Sequence, residues 1–483
     1  MEERAEAERH GRRADRLIDA AWLALVGLLL GVQLLASRPI GLADNGDGWR
    51  LLQPFGLVKV GCDGQARVHL CRTYELRPEA AKKVRYRSSA LLFVGGAVAA
   101  HRLAGERPFD LRWIGGTYLA TFLAAAAFAL RAFRSLDRLP RVAALALAAL
   151  VLTDVGYSAY FNSFYTEPAS LVLLLATIGA GVRWAQSGWR SGAAAAATVV
   201  LGALFVAAKV QNASVGLLAA AALGCLAIRL RMRRTGALPL GIAAVLLGAV
   251  SILVLTSAAP PTLRAQNLYN AVFWEILRNG DAPAEDLAAL GIDPALASFA
   301  GTSAYTPRTA FGTDQLAASG FGTLGMGGVL AFYAARPGRL FALLERGAAN
   351  ALHLRPDDLG NLGPEVPPHA ARTDRFAVWS GLRERLASAS PVLLLAAALT
   401  CVAAATAAAR MGLRAAGAGV LFLAAAAASQ FVTVLVAEGD WELTKHLWLF
   451  HLLLDLALIG SAGLIAQAAL RALAARPRPL AAA

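Results

Sequence analysis

The sequence predicts an all-α polytopic membrane protein with about ten transmembrane helices. Hydrophobic residues make up 57% of the 483 residues and the mean hydropathy is +0.53, while charged residues make up 16%. A soluble chain would carry about 25% charged residues. The apolar residues also fall in blocks separated by arginine-rich or polar stretches, which is typical of membrane-spanning helices.

The formal net charge of +14 is explained by topology. Most of the surplus lies in short loops between apolar blocks, where arginine favours the cytoplasmic side of a membrane. Nucleic-acid binding is not expected, because the chain has neither zinc-finger spacing nor a basic amphipathic helix.

The first helix is predicted over Leu17–Ala36, after an N-terminal segment rich in arginine. No small-residue cleavage site follows, so we interpret it as a retained helix whose N-terminus is cytoplasmic. Nine further spans are predicted at Trp113–Leu130, Val142–Val155, Ala169–Val182, Ala193–Ala208, Ala213–Ile228, Leu238–Leu255, Pro391–Ala409, Ala416–Val436 and Leu447–Leu470. This topology predicts a protein of the bacterial plasma membrane with both termini in the cytoplasm.

The segment Ala90–Ala100 is apolar but too short to span, since runs of 10–14 apolar residues are more often interfacial or re-entrant. If it crossed, the basic clusters around Arg134 and Arg231 would fall outside. An interfacial helix over about 89–104 keeps both clusters inside, which agrees with the positive-inside rule.

Three parts of the chain follow from these spans. Residues 1–256 form an N-terminal membrane module with a first outer loop at 37–88, and residues 388–483 form a C-terminal membrane module. Between them, residues 257–387 contain helix-like pieces at Asn267–Leu277, Pro283–Leu290 and Pro337–Asn350. A structureless loop of this length would be unusual, so we expect a small, mainly helical outer subdomain.

The four cysteines differ in their surroundings. Cys225 and Cys401 lie inside apolar blocks and are interpreted as small core residues. Cys62 and Cys71 share the polar first loop. If that loop is extracytoplasmic, a disulfide between them is expected, with two free thiols as the alternative.

Polar residues collect in four segments that the predicted topology places on the outer face. Each has an ordinary explanation by itself: a turn, a helix start, a lysine that reaches the interface, or a satisfied helix histidine. Their location on the same face of the membrane favours a shared cavity. The segments are Ala43–Arg50, Asp154–Pro168, Lys209–Asn212 and Glu438–His446.

Such a cavity suits sugar transfer from a polyprenyl-phosphate donor. A carboxylate would take the proton of the acceptor hydroxyl as it attacks the anomeric carbon. Cations would hold the leaving phosphate, where negative charge develops. Aromatic residues would pack on the sugar, and the lipid donor explains why the enzyme is built from membrane helices.

The layout resembles the GT-C superfamily of membrane glycosyltransferases, in which a catalytic acid follows the first helix and interfacial helices come next. Within it, the chain is similar to Wsf-type bacterial surface-glycan hexosyltransferases. The resemblance extends from Asp44 to Asp455, and it rests on the order and spacing of several short sequence pieces. Its pieces are DNGDGWR, YFNSFYTEP, AAKVQN, NLYNAVFWEIL with EDLAALGIDP, RPGRLFALLE with DDLGN, and TKHLWLFHLLLD.

The resemblance implies roles for particular residues. Asp44 is the first candidate for the general base of an inverting single displacement, and Asp47 is the second. Asp154 and Glu167 would shape the acceptor side or bind a metal where one is used. Donor phosphate contacts are expected from Lys209, Arg264, Lys445 and His446, and further substrate contacts from Tyr160, Asn162, Tyr165, Gln211 and Tyr269.

The chain also departs from the superfamily. The paired acids of protein mannosyltransferases and the W-W-D-x-G motif of oligosaccharyltransferases are missing, so neither a protein acceptor nor a required divalent cation is implied. The predicted partners are the lipid-linked donor, a glycan or lipid-linked acceptor, and membrane lipids. The alternatives are an O-antigen-type polymerase or ligase and a lipid-linked sugar flippase or transporter. A transporter would place charge near the middle of the membrane, where these spans have little.

Overall fold

The computed structural model describes residues 2–44, 46–60, 71–105, 108–231, 236–356 and 372–475. The protein is mostly helical (75%). The helices are α1 (Glu2–Leu35), α2 (Trp49–Leu52), α3 (Ala90–Ala104), α4 (Arg112–Ala129), α5 (Arg138–Leu152), α6 (Val155–Ser158), α7 (Glu167–Gln186), α8 (Gly192–Ala208), α9 (Ala213–Arg231), α10 (Ala237–Ser257), α11 (Pro261–Tyr269), α12 (Pro283–Ala289), α13 (Asp314–Ala318), α14 (Met326–Ala335), α15 (Pro337–Asn350), α16 (Val378–Arg385), α17 (Ser390–Arg410), α18 (Arg414–Glu438), α19 (Leu443–His446) and α20 (Trp448–Ala474).

Eight helices among the described residues are long and apolar enough to cross a membrane: α1, α4, α7, α9, α10, α17, α18 and α20. Helix α5 and the segment Val155–Phe161, bent by 55°, pass the same test together and make a ninth. Helix α8 has 17 residues, at the lower limit of about 17 for a span. These elements match the ten predicted segments one for one, and the predicted fold class is confirmed.

Helices α7 and α20 form the centre of the bundle. In an apolar stretch of 18 residues, 61% of the α7 residues and 67% of the α20 residues are buried. The corresponding shares are 17% for α9 and 22% for α17. The outward surface of α17 instead presents large apolar side chains such as Val392 and Leu399. A helix that is apolar on its exposed side suits contact with hydrocarbon rather than water.

Helix α3 begins and ends at the same end of the bundle. At its start, Ser89 Oγ donates a hydrogen bond of 2.7 Å to the Leu204 carbonyl near the end of α8. After its end, Phe109 pairs with Tyr74 in a small sheet of the first loop. That sheet is anchored beside α1 by Arg72, which donates to the carbonyl of Ser37. This geometry agrees with the expectation that the segment does not cross.

The first loop contains a three-stranded antiparallel sheet, which the sequence did not predict. Its strands are β1 (Leu57–Val60), β2 (Thr73–Leu76) and β3 (Phe109–Asp110), in the order β1-β2-β3. Leu57 lies opposite Leu76, and Thr73 lies opposite Asp110. Strands of two to four residues carry too little alternation to be recognised in a polar loop.

Between α10 and α17, the described residues 258–356 and 372–389 contain mainly short helices, which agrees with the predicted mainly helical subdomain. Helices α12 and α15 match two of the predicted pieces. The third, Asn267–Leu277, is divided between the end of α11 and a π-helix over Asn270–Leu277.

The two ends of the bundle differ in charge. One, here called the arginine-rich end, carries residues 131–141, 183–191 and 410–414. There Arg141 bonds Asp15 of α1 at 2.8 Å, and Arg134 bonds Asp19 at 2.9 Å. The other carries residues 36–44, 46–60, 72–87, 153–168, 209–212 and 438–447; it is here called the acidic end after Asp47, Glu167 and Glu438, and the first loop also brings basic residues such as Lys82 and Arg85 to it. All the predicted polar segments therefore lie at one end.

Candidate active site

Four segments of the acidic end meet around a cavity of about 60 Å³. This volume is well below the roughly 300–1,000 Å³ of a pocket that holds a small molecule, so a substrate has to widen it. Six predicted site residues line it: Asp47, Tyr165, Glu167, Lys209, Lys445 and His446. Arg50, Leu51, Tyr86, Phe164 and Thr166 complete the lining.

Ion pairs between different segments hold the cavity together. Lys445 Nζ lies 2.6 Å from Asp47 Oδ2 and 2.9 Å from Glu442 Oε2. Lys209 Nζ lies 2.7 Å from Glu167 Oε1. The first loop is thereby joined to α19, and the turn before α9 is joined to the start of α7. Each lysine that could hold a phosphate is already neutralised by a carboxylate.

Asp47 is the most strongly perturbed acid of the first loop. Burial opposes its ionisation, but the Lys445 ammonium and the Arg50 guanidinium, 3.0 Å away, outweigh burial. The pKa of Asp47 consequently lies well below its usual value. At Lys445, burial lowers the pKa of the ammonium, but the carboxylates of Asp47 and Glu442 outweigh burial and raise it. Asp47 is therefore a carboxylate in the free protein, and a weak base while these cations hold it.

Asp44 lies beside the cavity rather than in its wall. Its Oδ1 accepts hydrogen bonds of 2.9 Å from the backbone N–H groups of Gly46 and Gly48, and its Oδ2 pairs with Lys59 at 2.8 Å. An aspartate that caps its own turn in this way shapes the loop. Asp44 thus directs the chain so that Asp47 enters the cavity.

Glu167 and Lys209 occupy positions that local sequence explains. Glu167 is the first residue of α7 and Pro168 follows it, which suits a first turn where the N–H groups lack helical partners. Lys209 ends α8 in an extended conformation, with φ −147° and ψ 141°. Glu167 is buried, and it needs the Lys209 partner to remain charged there.

Two tyrosines form the inner wall. Tyr165 donates a hydrogen bond of 2.9 Å to the carbonyl of Ala43, and the Lys445 ammonium lies 5.4 Å from the centre of its ring. Arg50 lies over the ring of Tyr86 at 5.5 Å. Burial raises the pKa of Tyr86 to about 12, so its hydroxyl stays protonated.

The segment that carries Lys445 and His446 is fixed by the loop subdomain. Asp440 accepts hydrogen bonds of 2.6 Å from the Trp274 indole and from Arg278. His446 Nε2 lies 2.9 Å from Glu438 Oε2 at the end of α18. The geometry of the cavity therefore depends on residues 266–278 as well as on the membrane helices.

Gly439 allows the tight turn of that segment. Its φ of 66° and ψ of −140° suit glycine, and an added Cβ would lie 2.5 Å from Glu275 Cβ. We expect Gly439→Ala to lower the free energy of unfolding by about 1–3 kcal/mol, measured as a fall in melting temperature in detergent. Gly412→Ala is the matched control, because Gly412 has φ 81° but open space around it. Equal losses in the two variants would show that the Glu275 contact is unimportant.

Gln211 lies next to the cavity. Its Nε2 donates a hydrogen bond of 3.1 Å to the carbonyl of His446, and its own carbonyl accepts one of 2.7 Å from Gln430. It thereby joins the Lys209 turn to α18 and α19. This arrangement makes it a supporting residue of the site.

Asp154, Tyr160 and Asn162 are not in the cavity. Asp154 caps α6 through Gly156 and accepts backbone N–H bonds from Trp379 and Ser380 at 2.8 and 3.0 Å. Tyr160 is buried between the rings of Tyr165 and Trp448. Asn162 Nδ2 donates to the carbonyls of Leu34 and Ile40. These residues fix the turn after α5 against α1 and α16.

Arg264 and Tyr269 are also outside the cavity. Arg264 is exposed and donates to the carbonyl of Thr256 at 2.8 Å. Tyr269 is buried in the loop subdomain, where its ring stacks on Phe273 at 4.3 Å and its hydroxyl lies 2.7 Å from Thr302 Oγ1. Both have structural contacts of their own.

A second buried charge cluster, which the sequence did not predict, joins α16 to α20. Arg383 Nη1 lies 2.8 Å from Asp455 Oδ1, and its Nη2 lies 2.7 Å from His451 Nδ1. The Tyr157 hydroxyl and the Trp379 indole donate to Asp455 Oδ2 at 2.6 and 2.8 Å. The cluster fastens the loop subdomain onto the membrane bundle.

Two further predictions concern the first loop and metals. Cys62 lies outside the described residues, so its expected disulfide with Cys71 stays a prediction. Within the described parts of the chain, His, Cys, Asp and Glu side chains form no group of three or more that could hold a metal ion.

Fold and cavity define the chain as a multi-pass membrane protein with a charged site at one end of its helix bundle. A family model described as the YfdI N-terminal transmembrane domain matches residues 8–476. The chain therefore belongs to this family. No curated protein and no solved structure matches it.

Proposed function

We propose that this protein is a membrane glycosyltransferase that moves a hexose from a polyprenyl-phosphate donor to an acceptor hydroxyl. The observation that carries the proposal is the convergence of Asp47, Lys209 and Lys445 on one cavity next to membrane helices. The family and the GT-C-like order of elements support it. Its acceptor would be a glycan or a lipid-linked sugar.

In the proposed reaction the acceptor oxygen attacks the anomeric carbon, and the bond from that carbon to the phosphate oxygen breaks. Polyprenyl phosphate leaves with the bonding electron pair, and Lys445, Lys209 and Arg50 stabilise its charge. The hydroxyl proton passes to the Asp47 carboxylate. We assign the base to Asp47 rather than Asp44, because Asp47 lines the cavity and Asp44 caps a turn.

Donor binding would also activate the base. When Lys445 turns to the phosphate, Asp47 loses the partner that contributes most to lowering its pKa. Its pKa then rises towards the ordinary value of about 3.9, and it becomes a better proton acceptor at the moment the acceptor attacks. The resting ion pairs are in this proposal an inhibited form of the site.

We further propose that the acidic end faces the outside of the cell, since the opposite end carries the arginine-rich turns. Cysteines at Asp314 and Arg410, both exposed, test this in intact cells. In a background whose four native cysteines are replaced by alanine, a membrane-impermeant maleimide should label Asp314→Cys and leave Arg410→Cys unlabelled. The reverse pattern would invert the topology.

The test of activity uses the full chain in liposomes with undecaprenyl- and decaprenyl-phosphate glucose, galactose and mannose, and with lipid extract as acceptor. Release of free polyprenyl phosphate is measured. Lys209→Met should lower the rate by about 10²-fold or more, the usual effect of removing one group that stabilises developing charge. Lys82→Met, at an exposed lysine of the first loop, should not. If wild type leaves every donor intact, the proposed function is wrong.

Lys445→Met should change the pH dependence of transfer. In wild type the depressed pKa keeps Asp47 ionised throughout the range above pH 4, so kcat/KM should show no acid limb from this group there. The ion pair stabilises the fold above the unfolded pKa of Asp47, and that stability is lost as the pH falls through the lower folded value. Without Lys445, the pKa of Asp47 should rise and an acid limb should appear in the profile of the variant. A variant profile that lacks this limb, like that of wild type, would show that Lys445 does not control Asp47.

A further inference from the structure

We propose that Trp441 and Tyr305 form a platform that binds the hexose ring of the donor. This inference rests on the proposed function and deepens it, because it assigns the sugar a place beside the cavity that would hold the phosphate. The ligand class is a hexopyranose attached to a phosphate.

The platform is made by two segments that are far apart in the chain. The rings of Tyr305 and Trp441 are nearly parallel, with an interplanar angle of 22° and centroids 6.2 Å apart. Trp441 packs edge-on against Trp274 at 4.9 Å, and the Trp274 ring lies under the Arg278 guanidinium at 4.2 Å. The aromatic surface is thus supported from behind and does not have to be assembled on binding.

Tyr305 is one of two exposed aromatic residues in the described part of the loop subdomain, with Phe341, and it alone stacks on Trp441. Its exposed fraction is 46%, whereas Tyr269, Phe273 and Phe321 are buried in the subdomain core. Its ring stacks on Trp441, the residue before Glu442, and the Glu442 carboxylate lies 2.9 Å from Lys445 Nζ in the cavity wall. An exposed ring in this position is available to a ligand.

Short links of covalent and hydrogen bonds connect the platform to the cavity. Trp441 immediately precedes Glu442, whose carboxylate lies 2.9 Å from Lys445 Nζ. On the Tyr305 side, the Tyr305 hydroxyl bonds Gln266, and the next residue, Asn267, donates from Nδ2 to Glu438 Oε1 at 3.0 Å. Glu438 in turn pairs with His446 in the cavity wall. A sugar joined directly to a phosphate in the cavity would therefore lie next to these rings.

The surroundings of the rings favour a sugar over a lipid chain. A pyranose presents C–H groups on its faces and hydroxyls at its edge, which suits aromatic rings with polar neighbours. Tyr305 donates a hydrogen bond of 3.3 Å to Gln266 Oε1, and Glu438 and Glu442 offer further acceptors for hydroxyls. A hydrocarbon chain would leave these polar groups without partners.

The test compares binding of two probes, undecaprenyl-phosphate glucose and undecaprenyl phosphate, to the detergent-solubilised full chain. Tyr305→Ala and Trp441→Ala should each weaken binding of the sugar-bearing probe about tenfold, or about 1.4 kcal/mol. Binding of the sugar-free probe should not change. Tyr305→Phe keeps the ring and should bind both probes as wild type does. Phe341→Ala, at another exposed aromatic residue, is the matched control.

The outcomes separate this inference from the proposed function. If wild type binds neither probe, the proposed function fails. If wild type binds both probes and the alanine variants weaken both equally, or neither, the platform is wrong while the phosphate site stands. Equal loss for both probes in Trp441→Ala alone would mean that Trp441 positions Lys445 instead of binding sugar, and this too overturns the platform.

Discussion

Asp47→Asn is expected to slow the proposed hexose transfer by about 10²–10⁴-fold, the usual contribution of a general base. Asparagine keeps the shape of the side chain but cannot take the proton of the acceptor. Donor binding should survive, because Lys209 keeps its own partner and Lys445 keeps Glu442. The measurement is single-turnover release of polyprenyl phosphate at saturating donor, together with donor affinity.

Asp44→Asn is the comparison that decides between the two aspartates. An asparagine side chain still offers an oxygen to the N–H groups of Gly46 and Gly48, so the turn should be kept and only the pairing with Lys59 lost. We expect a rate within about tenfold of wild type, since a surface ion pair contributes roughly 0.2–1 kcal/mol. A larger loss in Asp44→Asn than in Asp47→Asn would return the role of base to Asp44.

Asp455→Ala is expected to lower the free energy of unfolding by about 3–5 kcal/mol. It removes one partner of a buried ion pair and leaves the Arg383 guanidinium, which is 5% exposed, without its carboxylate. The Tyr157 hydroxyl and the Trp379 indole lose their acceptor as well. The effect is measured as the melting temperature and as susceptibility of residues 372–389 to protease in detergent.

The double variant Arg383→Met with Asp455→Leu is its control. Replacing both partners of a buried pair by apolar residues is often neutral or stabilising, so the double variant should regain much of the stability that the single variant loses. If Asp455→Ala melts with wild type, the cluster does not fasten the loop subdomain to the bundle.

Much of the fold could be predicted because the membrane imposes long apolar runs, and the positions of arginine then order them. The non-crossing segment around Val94 was predictable from its length and from the parity of the arginine-rich turns. The sheet of the first loop was not, because Leu57–Val60 and Thr73–Leu76 pair through long-range contacts that no local pattern specifies. The same holds for Arg383 and Asp455, which are 72 residues apart.

The candidate site could be predicted only as a set of segments. Their common end of the bundle followed from topology, and six of the thirteen predicted residues do line the cavity. Which acid of DNGDG enters the cavity depends on a turn in which Asp44 accepts hydrogen bonds from the N–H groups of Gly46 and Gly48. The direction of a side chain in such a turn cannot be predicted from composition. Arg50 was missed, although its position three residues after Asp47 on the turn into α2 was a usable signal.

The internal pairing of the cavity has a consequence for how its ligand arrives. Three cations, Arg50, Lys209 and Lys445, face four carboxylates, Asp47, Glu167, Glu438 and Glu442, among the described residues of the site. Each cation of the cavity thus already has a carboxylate partner, which the phosphate of a ligand has to displace. Under the proposed function, a donor confined to the bilayer would reach the site by diffusing in two dimensions, so its local concentration would help it to compete with these carboxylates.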